Sequence, residues 1–380
     1  MNIAGDWLDR GGTQALCAAL GAAGYQALLV GGCVRNALLG LAVTDIDIAS
    51  DARPEIVTNI AESAGFRVIP TGFDHGTVTV LALGITHEVT TFRRDVQTDG
   101  RHAVVAYATE VAEDAARRDF TMNALYATAS GAVIDPLGGL PDLQAGRVRF
   151  VGQAAARIAE DYLRILRFFR FHAIYGDPTQ GIDAEGYAAC ASMAEGLDKL
   201  SRERVGGEMR KLLAAADPAP ALASMAQAGI LARVLAGADP RGIAPLVHLE
   251  AGIAPRWQRR LAVLTGTDPT DALRLSRAEA ADFGKISDEI GSSLTPAALA
   301  WKLGAVLAQD VVLCRATLLE QRLPDGWSQD IARGSVARCP VGAADLMADH
   351  SGAALGQRLR GITARWLQSD LRLGRQDLLG

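Results

Sequence analysis

The sequence predicts an α+β fold, in which a head with a small mixed or antiparallel sheet is followed by an all-helical remainder. Short runs rich in Val, Ile and Thr, which are typical of strands, are confined to about the first 150 residues. Beyond them the apolar residues recur at helical spacing, and breaks containing Pro or Gly separate the periodic stretches. We therefore expect a head over residues 1–150, a helical neck over 151–215, a helical body over 216–300 and a helical tail over 301–380.

The head is predicted to contain strands, a helix and a loop. Its predicted strands are Gln26–Val30, Asp45–Ala49, Gly76–Leu83 and Thr86–Arg93. A helix is predicted to begin at Pro54, because proline is favoured at the first helical position. The segment Asp95–His102 is polar, contains glycine and has no apolar period, so we expect a mobile loop there.

The remainder is predicted to be helical throughout. Apolar side chains recur at helical spacing across Ala154–Tyr175, which predicts one long helix. Further helices are predicted near residues 185–196, 202–215, 218–235, 257–265, 277–290, 297–320 and 343–367.

Composition and charge are those of an ordinary folded protein. The 380 residues are 49% hydrophobic and 21% charged, which excludes a disordered chain. The net charge of −5 argues against a protein that coats nucleic acid non-specifically, yet only four of the 38 cations are lysine. Arginine is the side chain best suited to gripping phosphate, so a local arginine-lined site is compatible with net acidity.

The cysteines and the apolar segments of the sequence indicate its cellular compartment. The five cysteines are isolated and form no C-x-x-C pair, so we expect neither a disulfide partner nor a structural zinc site. No secretory signal and no apolar run long enough to cross a membrane is evident, and we expect a cytoplasmic protein.

A Gly-Gly turn follows the first predicted strand. Gly31 and Gly32 would let the backbone approach a phosphate closely, and Arg35 in the following helical turn adds a charged donor. A plain tight turn is the alternative. The run is neither G-x-G-x-x-G nor a P-loop, so a dinucleotide-dependent oxidoreductase lacks its defining residues.

Two aspartates, Asp45 and Asp47, stand at positions i and i+2 of the second predicted strand and therefore share a face. Two ionised carboxylates side by side repel each other unless a cation lies between them. Paired Mg²⁺ ions about 3.5–4 Å apart resolve this repulsion and bind substrate phosphate oxygens as well. The sequence predicts a two-metal Mg²⁺ site here, with Glu88 as a candidate third carboxylate. For Glu88 a surface-facing acid is the alternative.

A second polar group lies between Arg117 and Asn123. The adjacent arginines Arg117 and Arg118, with Asp119 and Asn123 at helical offset, suit a triphosphate and a ribose. A solvated helix start capped by Asp119 is the alternative.

A third group has the spacing of one helix flank, because Asp161, Arg164 and Arg167 recur at i, i+3 and i+6. A carboxylate accepts a hydrogen bond from the exocyclic amine of cytosine or adenine, while a guanidinium donates to the acceptor beside that amine. Uracil and guanine present a carbonyl where the amine should be. The alternative is a helix-surface ion pair worth about 0.2–0.5 kcal/mol.

Together these runs resemble a known family. In order they are VGGCVRN, DID, HGTVTV, EVTTFRRD, RRDFTMNAL, EDYLRILRFFRF and SRERVGGEMRKLL. They resemble the class II tRNA nucleotidyltransferases, the CCA-adding enzymes, which share their catalytic head with bacterial poly(A) polymerases. The resemblance covers about residues 25–215. It implies a polymerase-β-like head and Mg²⁺-dependent addition of C, C and A to the tRNA 3′ end from CTP and ATP, with release of pyrophosphate.

The resemblance also implies individual roles. Asp45 and Asp47 would hold Mg²⁺ and be catalytic. The expected nucleotide-binding residues are Gly31, Gly32 and Arg35 on the triphosphate, Arg118 on phosphate, Asp119 and Asn123 near the ribose, and Asp161 and Arg164 on the base, supported by Arg167 and Arg170. The tail is expected to contact tRNA.

One position departs from the family pattern, since Asn36 stands where the family usually has Asp. The in-family alternatives are a poly(A) polymerase, or an enzyme that adds only CC or only A. Poly(A) polymerases typically carry a basic segment where this chain has Asp74 to Val80, which favours CCA addition. A non-catalytic RNA-binding protein is disfavoured, because both aspartates of the predicted metal site are present.

Overall fold

The computed structural model describes residues 1–73, 76–99 and 102–380, with the side chains of 95–105 left aside. These residues form two compact units, Met1–Leu200 and Ser201–Gly380. The boundary falls inside the predicted neck, and the division into four parts stays a prediction.

Strands lie only in the first unit, within the described residues. They are β1 (Leu28–Val30), β2 (Ile46–Ser50), β3 (Arg67–Ile69), β4 (Thr77–Ala82), β5 (Ile85–Thr91), β6 (Arg93–Asp99), β7 (His102–Tyr107), β8 (Tyr126–Ala127) and β9 (Val133–Ile134). Seven of them form one sheet in the order β3-β4-β5-β2-β1-β8-β9. The β2–β5 pair is parallel and the other pairs are antiparallel, so the predicted mixed sheet is confirmed.

The strands form where the sequence alternates. In β4 the side chains of Val78, Val80 and Ala82 are fully buried while those of Thr79 and Leu81 between them are partly exposed, which is the period-two pattern of a half-buried strand. In the short strand β1 all three residues are buried, so both faces of that strand are covered. The helices of the first unit are α1 (Gly11–Ala22), α2 (Gly32–Leu38), α3 (Pro54–Ser63), α4 (Val111–Ala116), α5 (Leu140–Gln144), α6 (Ala154–Glu160), α7 (Leu163–Tyr175) and α8 (Ala184–Ser192).

Two predictions about local structure were wrong. The segment Asp95–His102 is not a loop, because β6 and β7 pair as an antiparallel hairpin with a register shift between Asp95 and Gln97; Gly100 and Arg101 lie outside the described residues. Backbone pairing overrides the polar composition that suggested a loop. Ala154–Tyr175 is also not one helix, since Asp161 interrupts it with an extended backbone (φ −154°, ψ 106°).

An aromatic cluster joins the sheet to α7. Phe120 packs against Phe150 and Phe171 with ring centroids 4.9 Å apart in both pairs, and Phe150 stacks on Phe168 at 5.4 Å. Residues on either side of Phe120 are therefore held against the helix that follows the break.

The second unit is helical throughout its described length. Its helices are α9 (Arg202–Leu213), α10 (Ala219–Gln227), α11 (Ile230–Val234), α12 (Ile243–Leu249), α13 (Trp257–Leu264), α14 (Thr270–Leu273), α15 (Arg277–Ile290), α16 (Pro296–Leu303), α17 (Ala305–Leu318), α18 (Trp327–Val336), α19 (Gly352–Gln368) and α20 (Arg375–Leu379). A buried ionic cluster joins α13 to its neighbours: Arg259 bonds Asp310 and Glu250 at 2.8 and 2.6 Å, and Arg260 bonds Glu250 at 2.7 Å.

The cysteines are free thiols, four of them buried. Among the described residues, no helix is both long and apolar enough to cross a membrane.

Candidate active site

The predicted metal-binding aspartates lie at the start of β2. Asp45 immediately precedes the strand and is exposed, Asp47 is half-buried within it, and Ile46 and Ile48 point into the core. Alternation along the strand therefore brings both carboxylates to the same face, as the spacing predicted.

Glu88 lies beside them on the neighbouring strand. It is the register partner of Asp47 in the parallel β2–β5 pair, so the two side chains project from the same face of the sheet. A cleft of about 570 Å³ opens there, lined by Arg10 as well as by Asp45, Asp47 and Glu88. Within the described part of the chain, no group of three or more His, Cys, Asp or Glu side chains is arranged to hold a metal ion. A ligand role for Glu88 stays a prediction.

The electrostatics of Asp47 fit a cation site. Burial and the neighbouring carboxylates of Glu88 and Asp45 together raise the pKa of Asp47 to about 6, against the opposing effect of Arg118. An ionised carboxylate is therefore disfavoured at this position until a positive charge joins it. This unfavourable charge is what a bound Mg²⁺ would relieve.

The Gly-Gly turn faces one of the predicted arginines. Gly31 adopts a left-handed backbone (φ 68°, ψ −118°), and its N–H donates to the Leu125 carbonyl at 3.0 Å. A Cβ at Gly31 would lie 3.3 Å from Nη1 of Arg118, whereas one at Gly32 would meet only Nη2 of Arg35 at 3.7 Å. The positive φ of Gly31 favours glycine at this position, and a Cβ there would also crowd the arginine beside it.

Arg35 is buried in an extended network instead of lying open to solvent. Its Nη1 donates to Oδ1 of Asn123, its Nη2 donates to the Tyr175 hydroxyl at 2.7 Å, and its guanidinium lies 4.1 Å from the Tyr175 ring centroid. Burial lowers the pKa of Arg35, and the nearby Arg170 and Arg167 act in the same direction.

Asn36, the departure from the family pattern, still contacts that arginine. Its Oδ1 accepts from Nε and Nη2 of Arg35 at 3.2 and 3.0 Å, while its Nδ2 donates to the Ala42 carbonyl at 3.0 Å. The side-chain amide of Asn36 thus accepts from Arg35 and donates to the Ala42 carbonyl at the same time. A carboxylate has no N–H and could only accept.

Asp119 and Asn123 lie together, although not on a helix. The helix α4 ends at Ala116, just before Arg117, and Thr121–Asn123 forms a separate 3₁₀ turn, so both the helical offset and the helix-start alternative were wrong. The chain turns here because Phe120 is anchored in the aromatic cluster. Asp119 accepts from Arg167 through Nε at 2.7 Å and from Nδ2 of Asn123 at 2.9 Å.

The buried carboxylate of Asp119 is paired with Arg167. Burial alone would raise the pKa of Asp119, but Arg167 holds it below its usual range. Arg170 is also buried, with its guanidinium 4.6 Å from the Phe171 ring centroid. Arg35, Arg167 and Arg170 are close enough to influence one another electrostatically, and such a group of guanidinium groups suits an anion such as a triphosphate.

The third group differs from its prediction. Asp161 lies in the break between α6 and α7, where its Oδ1 accepts from the Leu163 N–H at 3.1 Å. Arg164 points towards the C-terminal ends of α4 and α6. Its Nη1 donates to Glu160 at 2.5 Å and to the Arg157 carbonyl at 2.8 Å, and its Nη2 donates to the Arg117 carbonyl at 3.2 Å. Asp161, Arg164 and Arg167 consequently do not form one continuous helix flank.

Three residues of the site were missed by the sequence analysis. Asp114 and Tyr126 hold Arg118, and Tyr175 holds Arg35. Asp114 stands four residues before Arg118, which is an ion-pair spacing on a helix that could have been noticed in the sequence. Nothing in the sequence links Tyr175 to Arg35.

Paired carboxylates at one end of β2, beside a turn and arginines suited to phosphate, agree with the nucleotidyltransferase head that the sequence predicts. Comparison with known proteins agrees. Residues 27–149 match the model of the poly A polymerase head domain, and residues 181–240 match that of the "probable RNA and SrmB-binding site of polymerase A". Both matches are to domains of poly(A) polymerases, and they agree with the resemblance seen in the sequence.

Similar proteins are CCA-adding enzymes. Human mitochondrial CCA tRNA nucleotidyltransferase 1 is 43% identical over 190 residues, 50% of this chain and 44% of that protein. The CCA-adding enzyme of Lacticaseibacillus paracasei is 44% identical over 198 residues, 52% of this chain and 48% of that protein. The chain therefore spans about half the length of these curated relatives. The crystal structure of the Bacillus stearothermophilus CCA-adding enzyme in complex with CTP has a TM-score of 0.74 and 28% identity, covering 94% of this chain and 93% of that one.

Proposed function

We propose that this chain is a CCA-adding enzyme, which adds C, C and A to the tRNA 3′ end from CTP and ATP and releases pyrophosphate. The observation that carries the proposal is the meeting of Asp45 and Asp47 with the Gly31 turn and Arg118 at one edge of the sheet. The names of the similar proteins support it, as does the similarity to a CCA-adding enzyme in complex with CTP.

The donor set fits Mg²⁺, a cation that prefers oxygen ligands. Asp45 and Asp47 would hold the metal, and Glu88 stands close enough in register to assist. When bound, Mg²⁺ would neutralise the paired carboxylates and the developing charge on phosphate oxygens. The raised pKa of Asp47 supports this assignment, because its carboxylate gains most from a neighbouring cation.

The residues of the chain bind and orient the two reactants. Gly31 and Gly32 bring the backbone close to the triphosphate, and Arg118 donates to its oxygens. Asp119 and Asn123 lie near the ribose, and hydrogen bonds from Arg167 and Arg35 fix the orientation of their side chains. Catalysis in this proposal consists of positioning and charge neutralisation, without a covalent intermediate.

Base selection is assigned to the break between α6 and α7. Asp161 accepts from the amine of cytosine or adenine, and its placement at a break frees its backbone from helical geometry. A base contact by Arg164 requires that guanidinium to exchange its bond with Glu160 for one with the base. Arg167 and Arg170 support the site through Asp119 and Phe171.

The proposal is tested by incubating the protein with tRNA lacking CCA and each labelled nucleotide separately. Incorporation of CTP, and of ATP only after CC is in place, is expected. Incorporation of ATP alone onto many RNAs would instead indicate a poly(A) polymerase, the alternative that the matched head-domain description favours. RNA binding without pyrophosphate release would indicate a non-catalytic protein. The segment used above against poly(A) synthesis includes Asp74 and His75, which lie outside the described residues.

A further inference from the structure

Arg118 is held by two buried partners on one side and is open on the other. Its Nε donates to the Tyr126 hydroxyl at 3.0 Å, and its Nη2 donates to Oδ2 of Asp114 at 2.9 Å. The Tyr126 hydroxyl in turn donates to the same Oδ2 at 2.7 Å. The three groups therefore form a closed hydrogen-bonded ring, in which each donor has one acceptor.

The third nitrogen of the guanidinium is directed elsewhere. Nη1 lies beside the Gly31 turn, at 3.3 Å from the position of a Cβ there. Among the described residues, Nη1 has no hydrogen-bond partner. Arg118 also influences Asp47 electrostatically, which places its charge near the predicted metal site.

The two holding residues are buried more deeply than the arginine. Asp114 is 1% exposed and Tyr126 is fully buried, whereas 17% of the Arg118 side chain reaches solvent. Holding a flexible arginine in one conformation costs side-chain entropy. Because Asp114 and Tyr126 already hold Arg118 in the ligand-free protein, this entropy is not lost again when a ligand binds. The guanidinium is therefore pre-organised, which favours affinity for whatever it binds.

The ring also has a fixed charge. Burial raises the pKa of Tyr126, so its hydroxyl stays protonated. Burial alone would raise the pKa of Asp114, but Arg118 and Arg117 hold it below its usual range. Arg117 bonds the other oxygen of Asp114 through Nε at 2.8 Å. Asp114 pairs with both Arg117 and Arg118, so this one carboxylate neutralises the two guanidinium charges only in part.

We propose that Asp114 and Tyr126 are positioning residues that aim Nη1 of Arg118 at the triphosphate of the incoming nucleotide. The inference rests on the proposed function and deepens it, because it identifies the residues that set triphosphate affinity independently of the base. Neither residue touches substrate, and both act through Arg118.

Tyr126→Phe is the sharpest perturbation, because it removes one hydroxyl and keeps the buried ring. Affinity for CTP and for inorganic tripolyphosphate, measured by titration calorimetry at equal Mg²⁺, should each fall about tenfold or more, the usual effect of losing a hydrogen bond to a charged group. Affinity for tRNA should not change. Tyr25→Phe, which makes the same chemical change in a partly exposed loop, is the matched control and should bind both ligands like the wild type.

A double-mutant cycle separates positioning from general structural damage. If Tyr126 acts through Arg118, the double variant Tyr126→Phe with Arg118→Ala should bind tripolyphosphate as weakly as Arg118→Ala alone. Losses that add, or a Tyr126→Phe variant with wild-type affinity, would overturn the inference.

The proposed function and the inference can fail separately. A wild-type protein that incorporates no nucleotide would contradict the proposed function. The tripolyphosphate titrations would still test whether Tyr126 positions Arg118. Asp114→Asn would alter the same hydrogen-bonded ring, but it removes the carboxylate that pairs with both Arg117 and Arg118 and so endangers folding. Tyr126→Phe is therefore the variant that tests the proposal.

Discussion

Asp47 is predicted to reduce the stability of the metal-free protein, so Asp47→Asn should stabilise the protein while abolishing nucleotide incorporation. Burial and the neighbouring carboxylates raise the pKa of Asp47 from 3.8 to about 6. Each pKa unit corresponds to about 1.4 kcal/mol, which gives a ceiling of about 3 kcal/mol. Because Asp47 is only half-buried, solvent screening reduces the expected gain to about 1–2 kcal/mol.

The pH dependence follows from the sign of that shift. Between the unfolded pKa of 3.8 and the folded pKa of about 6, the folded protein binds more protons than the unfolded chain. Stability therefore falls as the pH rises through this window, and the penalty is complete above it. The gain from Asp47→Asn should be full at pH 7.5, about half as large at pH 5, and absent near pH 3.

The assay is calorimetric unfolding of the wild type and of Asp47→Asn in EDTA at pH 7.5 and pH 5. Asp6→Asn, at an exposed aspartate of the same unit, is the matched control and should change stability by less than about 0.5 kcal/mol. Added Mg²⁺ should raise the unfolding temperature of the wild type and leave that of Asp47→Asn unchanged. Equal stability of wild type and variant at pH 7.5, or a gain of equal size at both pH values, would refute the electrostatic reasoning.

Three further outcomes are expected. Gly31→Ala places a Cβ 3.3 Å from Arg118 on a left-handed backbone, so the KM for CTP should rise at least about tenfold with little change in the KM for tRNA; an unchanged KM for CTP would contradict the turn's role. Asp161→Ala should relax discrimination against UTP in single-nucleotide incorporation, and a variant that still rejects UTP as strongly would show that the carboxylate does not read the base. Arg260→Met removes bonds to Glu250 and to the Leu213 and Ala215 carbonyls, so urea unfolding should show a loss of about 3–5 kcal/mol, whereas an unchanged midpoint would count against the buried cluster.

The metal-binding pair could be predicted from the sequence because it depends on local alternation. Asp45 and Asp47 flank the buried Ile46, and a strand leaves no choice about which face they share. The adjacency of Glu88 could only be suspected, because it depends on the register between β2 and β5. Register is a tertiary property, and one residue of slip would reverse the face of Glu88.

The break at Asp161 was not predictable from periodicity. Both α6 and α7 have apolar residues at helical spacing, and no Pro or Gly marks the interruption. The break is stabilised locally, because the Asp161 carboxylate accepts the Leu163 N–H at 3.1 Å. An acid that competes with helical hydrogen bonding is a weak signal inside an otherwise regular helical pattern.

The residues of the arginine network could be predicted from the sequence, but the hydrogen bonds between them could not. Arg35, Asp119, Asn123 and Arg167 were all expected at the site, yet the sequence suggested that each would face the nucleotide. In the structure Arg35 reaches Asn123 across 88 residues of chain, and Arg167 reaches Asp119 across 48. Such contacts form because the aromatic cluster around Phe120 brings the segments together, and no local pattern encodes that packing.

The most direct test of the central claim is a time course on tRNA lacking CCA, with CTP and ATP together and products resolved to single nucleotides. The account predicts addition of C, then C, then A, after which extension stops, and no product with Asp47→Asn. Continued addition of A beyond that point, or equal extension of RNAs unrelated to tRNA, would contradict it.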